Sequence, residues 1–228
     1  MSQHFVNALL FGIYPYVCLA MWLLGSLIRF DREQYTWKSD SSQLLRRRQL
    51  RLGSNLFHVG VLIVIGGHFA GFLAPHWMVS PFLNASQHQL LAVMAGGIAG
   101  IIAIVGLSIL MYRRLSDPRI RINSAHADIL VLVILWLQLA LGLATIPLSL
   151  AHMDGAMFEI LSDYVKGIVT FQTGTADLII QAPLVYKIHI ALGFTIFLIS
   201  PFTRLVHIWS GMATVGFLVR PHQIVRKR

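Results

Sequence analysis

The stretch LGSNLFHVGVLIVIGGHFAGFL, residues 52–73, decides what kind of chain this is. It carries no charged side chain, and as an α-helix it rises about 33 Å, enough to cross the roughly 30 Å hydrocarbon core of a bilayer. Two histidines, His58 and His68, interrupt it. An imidazole in hydrocarbon needs a partner, so two in one span mark a functional position rather than a chance polar one.

The rest of the 228 residues agrees with a bilayer setting. Hydrophobic residues make up 56% and charged residues 12%, against roughly 25% charged in soluble domains. Mean hydropathy is +0.70. Too few polar groups remain to cover a water-facing surface. Four further apolar runs are long enough to span: 5–28, which contains Pro15; 90–112; 127–150; and 183–209, the longest, which contains Pro201 and is expected to tilt or kink. The expected fold is all-α, a single five-helix membrane bundle over 1–228. The first run is too long, and lacks the basic leader, for a cleavable signal peptide, so it is expected to stay as a helix. Between the last two runs, Met157, Ile160, Leu161, Tyr164, Val165, Ile168 and Phe171 recur at spacings of three and four. They predict an amphipathic helix over about 156–171, on the outer interface or against the bundle. The single cysteine, Cys18, excludes an intrachain disulfide, a four-cysteine zinc site and an iron–sulfur cluster held by this chain.

The net charge of +9 is a matter of topology. Sixteen of the eighteen basic residues fall on one side of the predicted spans: Arg29 to Arg51 between the first and second, Arg113 to Arg121 between the third and fourth, and Arg204 to Arg228 at the end. Only Lys166 and Lys187 fall on the other. The positive-inside rule therefore puts the N-terminus outside and the C-terminus in the cytoplasm. A nucleic-acid groove would not need such alternation, and no nucleic-acid partner is expected. For Arg113, Arg114 and Arg204, snorkelling to headgroups is the preferred reading, with contact to a bound group or a partner subunit as the alternative.

Four of the ten histidines lie inside spans: His58 and His68 in the second, His189 and His207 in the fifth. The two spans run in opposite directions, so matching by depth pairs His58 with His207 and His68 with His189. Imidazole suits iron, copper or zinc, but no cysteine or acidic residue accompanies either pair. Two histidines from facing helices match the two axial ligands of a b-type haem, a set that serves electron transfer rather than oxygen activation. Gly67, Gly71 and Gly193 are expected to make room for the macrocycle, and Gly96, Gly97 and Gly100 to pack against a neighbouring helix. The spacings differ: ten residues, about 15 Å, separate His58 from His68, and eighteen, about 27 Å, separate His189 from His207. Helix tilt, a bend at Pro201 or slanted haems must absorb the difference. His4, His126 and His222 at span ends or in tails, and His76 and His152 in outer loops, are read as solvated. His88, at the outer start of the third span, is held back as a candidate.

The chain resembles the γ subunit of bacterial respiratory nitrate reductase, a dihaem cytochrome b. The resemblance rests on Tyr14-Pro15-Tyr16, Gln34-Tyr35-Thr36-Trp37, Ser54-Asn55-Leu56-Phe57-His58, Gly67-His68-Phe69, Pro75-His76-Trp77-Met78, Ala127-Asp128-Ile129-Leu130, His152-Met153-Asp154-Gly155 and Arg204-Leu205-Val206-His207-Ile208-Trp209. It implies a multi-pass protein of the bacterial inner membrane, serving anaerobic nitrate respiration, that oxidises quinol near the outer face. Electrons would then cross two b haems to an iron–sulfur β subunit and a molybdenum α subunit in the cytoplasm. His68 and His189 would hold the outer haem iron, and His58 and His207 the inner one. The implied quinol pocket adjoins the outer haem and includes a basic residue at the start of the third span, where this chain has His88. Lys187 is a second candidate contact for quinol or a propionate.

Other functions share part of this pattern. A cytochrome b of another quinone-linked enzyme, such as a hydrogenase or formate dehydrogenase, would keep the haems and change the partners. A secondary transporter using its histidines as a proton relay would show inverted repeats, and no repeat is visible. A haem-free anchor would lack a reduced-minus-oxidised spectrum.

Overall fold

The computed structural model describes residues 3–33 and 44–209, and all regular elements among them are helical. The stretch Gln34 to Trp37, Lys38, His222 and the basic residues Arg220, Arg226, Lys227 and Arg228 lie outside the described residues. Five helices are long and apolar enough to cross a membrane. They are α1 (Gln3–Arg32), α2 (Arg47–Leu73), α3 (Ala85–Ser116), α4 (His126–Ala151) and, after α5 (Ala156–Val169), the span Leu184–Phe202, whose α-helical part is α6 (Leu184–Ile199). Exposed side chains such as Leu24, Leu62 and Ile98 coat these rods, as lipid-facing positions require.

The rods form an open arc. α2 lies along α3, α3 packs on α4, α4 on α6, and α6 on α1, whereas α2 and α6 share at most marginal backbone contact. The closest approach is between α2 and α3, where glycines replace side chains. A Cβ on Gly60 would fall 2.5 Å from the Ala103 nitrogen, and one on Gly106 only 2.3 Å from the Phe57 nitrogen. Of the expected glycine cluster, Gly97 and Gly100 do pack on Ile146 and Leu143 of α4, while a side chain at Gly96 would meet nothing within 4 Å.

Two of the changed boundaries have a clear cause. α3 begins earlier than residue 90, because Asn84 and Gln87 form a capping box: Gln87 N donates to Asn84 Oδ1 at 2.8 Å and Asn84 N to Gln87 Oε1 at 3.0 Å. The fifth span, expected over 183–209 as the longest, is the shortest at 19 residues, and α3 at 32 is the longest. Pro201 has no N–H for the carbonyl of Phe197 and its ring crowds it, so the α-helix ends at Ile199. The Ser200 hydroxyl donates to that carbonyl at 2.9 Å instead. The chain goes on as the 3₁₀ turn Ser200–Phe202, an extended Thr203 and a second 3₁₀ turn Arg204–Val206 before His207.

Pro15 is handled differently, without breaking α1. Its helix widens into π turns at Ala8–Ile13 and Met21–Gly25, and the carbonyl of Phe11, four residues before Pro15, accepts a hydrogen bond from Tyr164 Oη at 3.0 Å. Tyr164 belongs to α5, the amphipathic helix expected over 156–171, which here ends at Val169. Together with the turn Thr175–Leu178, α5 closes one end of the bundle, called here the cap end. The main buried cluster lies there: Phe11, Leu161, Tyr164, Ile168, Ile179 and Tyr186 among others. Burial first, and neighbouring Tyr16 second, push the Tyr164 phenol far above its ordinary range. Ser162 adds a hydrogen bond to the Phe72 carbonyl at 3.1 Å, tying the cap to the end of α2.

The opposite end is basic. Arg114 pairs with Asp128 at 3.1 Å and donates to Ser124 at 2.9 Å; Arg113 donates to the Leu45 carbonyl at 2.6 Å; Arg46 pairs with Asp117 at 2.9 Å. Arg113 is 2% exposed. Snorkelling to headgroups is therefore not what Arg113 and Arg114 do: both turn inward and fasten the loops between spans.

Candidate functional site

Four histidines face one another across the opening of the arc, in two pairs. The rings of His58 and His207 have centroids 6.2 Å apart, and those of His68 and His189 6.3 Å apart. The break after Ile199 removes the mismatch in helical rise, since His189 and His207 are no longer on one continuous helix. Three of the rings are anchored alike. His58 Nδ1–H donates to the Ser54 carbonyl, His68 Nδ1–H to the Val64 carbonyl and His207 Nδ1–H to the Arg204 carbonyl, each at 2.7 Å. That bond fixes the tautomer and leaves the Nε2 lone pair free to bind a metal.

The separation has a simple chemical meaning. Two imidazoles that share one metal ion between them, with metal–nitrogen bonds of about 2.0 Å and each ring centre about 1.1 Å beyond its nitrogen, stand at most about 6.2 Å apart. Among the described residues no group of three or more His, Cys, Asp or Glu is placed to hold a metal. The donors come in twos, one from each of two facing segments. Room for a flat group exists beside His68, where a side chain at Gly66 or Gly67 would meet nothing within 4 Å. The other expected spacers do different work. Gly193 makes room for Gln138 and Gly71 for Phe158.

The nitrate reductase gamma subunit family matches residues 7–228. The chain belongs to that family. It is 44% identical over 226 residues to the respiratory nitrate reductase 1 gamma chain of Escherichia coli, covering 99% of this chain and 100% of the relative. It is 38% identical to the nitrate reductase gamma chain of Bacillus subtilis, over 96% of this chain and 98% of that one. The nitrate reductase-like protein NarX of Mycobacterium tuberculosis is 34% identical over 98% of this chain, which corresponds to 34% of the longer protein. This gamma subunit is thus a membrane-spanning member of a multi-subunit nitrate reductase, an oxidoreductase.

At the cap end of this gamma subunit lies a cleft of about 270 Å³, bordered by Gly71 near the end of α2. His88, in the first turn of α3, lines it together with Phe158, Glu159, Asp163 and Lys166 of α5. Aromatic rings connect the cleft to the histidine pair. His88 meets Phe158 at 4.7 Å between centroids, Phe158 meets Phe72 at 5.4 Å, and Phe72 meets His68 at 5.6 Å. His76, read from the sequence as a solvated loop residue, also lines the cleft. Lys187 does not: its ammonium donates to the Ile180 carbonyl, within its own approach to α6.

Sequence reading missed Glu159, Asp163 and Lys166 as cleft residues, although a signal was there. They recur at spacings of four and three on the polar side of the amphipathic pattern over 156–171. Gln138 was also missed. Its carboxamide is the polar group from another helix that reaches His189.

Proposed function

We propose that this gamma subunit is the electron-carrying anchor between membrane quinol and the nitrate-reducing part of its complex. The observation that carries the reading is the near-equal separation of the two histidine pairs, 6.2 and 6.3 Å between ring centroids, which would suit a metal held between the two rings of each pair. His58 and His207 would hold one b haem, and His68 and His189 a second. Held by two imidazoles, such a group would supply one-electron transfer rather than oxygen chemistry. In the histidines whose Nδ1–H is held by a carbonyl, the ligand side of the ring is preorganised. The positive-inside asymmetry supports a cytoplasmic basic end, in a bacterial inner membrane, facing the β and α subunits with their iron–sulfur and molybdenum centres.

The cleft at the cap end is the quinol site in this reading. A quinol hydroxyl placed against His88 gives its proton to the imidazole, which must be neutral to accept it. The Lys166 ammonium on the facing wall donates to a quinol oxygen and supports negative charge there as the proton leaves. Glu159 and Asp163 are exposed at the same cleft, so their carboxylates pass protons to water on the outer side. Phe158 and Phe72 exclude water between the cleft and His68 and set a short packed distance to it. Each quinol surrenders two electrons inward and two protons outward, so charge is separated with no proton channel.

The test is haem content in the assembled complex. His68→Ala and His189→Ala should each remove one and the same haem, while His58→Ala and His207→Ala remove the other. Two haems per chain remaining in any of the four variants would refute the pairing.

A further inference from the structure

His189 is the odd member of the four. The other three rings are fixed by a carbonyl three or four residues earlier on their own segment, whereas His189 Nδ1 is buried and has no hydrogen-bond partner. The neighbour that reaches this residue is Gln138, from α4. Its Nε2 donates to the His189 carbonyl at 3.1 Å and lies 3.5 Å from the ring Nε2. The carboxamide Oε1 of Gln138 is itself buried without a donor. Within one buried site, then, stand an imidazole nitrogen that needs an acceptor and a carboxamide oxygen that needs a donor. Each is costly to leave alone away from water.

The helices are cut to hold these two side chains together. Gln138 sits over Gly193, where a Cβ would lie 3.1 Å from its Nε2, and His189 sits over Gly142, where a Cβ would lie 3.1 Å from the ring Cε1. Gln138 and Gly142 are one turn apart on α4, as are His189 and Gly193 on α6. Each long polar side chain occupies the space the opposite glycine leaves.

We propose that Gln138 is the positioning residue for His189. With the imidazole and the carboxamide each turned over from their Nε2-to-Nε2 contact, Gln138 Oε1 accepts the imidazole Nδ1–H and the ring presents Nε2 to His68 instead of to Gln138. The inference rests on the two-haem reading above. It assigns the His68–His189 centre a ligand orienter from a different helix, whereas the His58–His207 centre is oriented wholly by local carbonyls. A hydrogen bond of this kind makes the ligand more electron-donating and favours oxidised iron.

The experiment is a potentiometric titration of reduced-minus-oxidised spectra in membranes holding the complete complex, with Gln138→Leu and Gln138→Glu. Gln138→Leu should raise the midpoint of the His68–His189 haem, changing its oxidised-to-reduced ratio threefold to tenfold at fixed potential, where tenfold is 59 mV for one electron. The other haem should stay put. Gln138→Glu keeps an oxygen at the same reach and should hold that midpoint at or below the wild-type value. If Gln138→Leu titrates like wild type, or moves both haems equally, the proposal fails. Should Gln138→Leu lose that haem altogether, retention by Gln138→Glu supports the proposal and its loss there too overturns it. Failure of the underlying reading looks different: wild-type membranes would then hold fewer than two haems per chain.

Discussion

The contact between α2 and α3 sets where His58 and His68 stand, and Gly60→Ala tests how tightly. The added methyl would lie 2.5 Å from the Ala103 nitrogen and 2.6 Å from the Ala99 carbonyl oxygen, about 1 Å inside ordinary contact distance. Both obstacles are backbone, so no rotamer change relieves them; α2 must move away from α3. Overpacking of this kind costs about 1–3 kcal/mol. The larger effect is positional, because Gly60 is two residues from His58 and eight from His68, and metal–ligand distances tolerate only about 0.2 Å. Gly60→Ala should therefore lower the occupancy of both haems and broaden or shift their spectra. Gly96→Ala on α3, where a methyl meets nothing within 4 Å, is the matched control and should leave haem content unchanged. The assay is haem per chain and low-temperature reduced-minus-oxidised spectra of purified complex. A Gly60→Ala complex with full haem and wild-type spectra would refute the reasoning.

Three further outcomes follow from contacts described above. Tyr164→Phe leaves the buried Phe11 carbonyl without its donor and should lower the stability of the detergent-solubilised complex by about 1–3 kcal/mol in thermal melts. Asp128→Asn removes one partner of a pair whose side chains are 8% and 11% exposed, and in the same melts should cost about 3–5 kcal/mol. Lys166→Gln should raise the quinol KM about tenfold, the effect of losing one charge-assisted hydrogen bond. Lys187→Gln should change it less than about twofold, because Lys187 is bonded to the Ile180 carbonyl away from the cleft. In both lysine variants, nitrate reduction driven by an artificial dye should stay at wild-type rates.

The rods were legible because a run of apolar residues long enough to cross hydrocarbon has few other uses. The same signal misjudged the fifth, where apolar residues continue past Pro201 although the helical hydrogen bonding does not. Depth-matching brought His58 to His207 and His68 to His189, since antiparallel helices allow only one such order. Glycine roles were less legible: Gly60 and Gly106 matter through residues about forty to fifty positions away, and Gly193 holds a space that only the path of α4 explains. The cleft was half visible. His88 stood out as an imidazole at a helix start, but Glu159, Asp163 and Lys166 join it only because α5 folds back over α2 and α3. Gln138 was silent because a lone carboxamide in a span names no partner until the neighbouring helix is in place.

The bond from Tyr164 to Phe11 also bears on how the molecule is assembled. A ribosome delivers the N-terminal rod to the lipid first, yet the hydroxyl that completes its Pro15 turn is made 153 residues later. Until then the Phe11 oxygen must borrow a donor from water at the interface, since hydrocarbon offers none. The earliest of these five helices to enter is thus among the last to be finished, and the segment that finishes it also roofs the cleft beside His88.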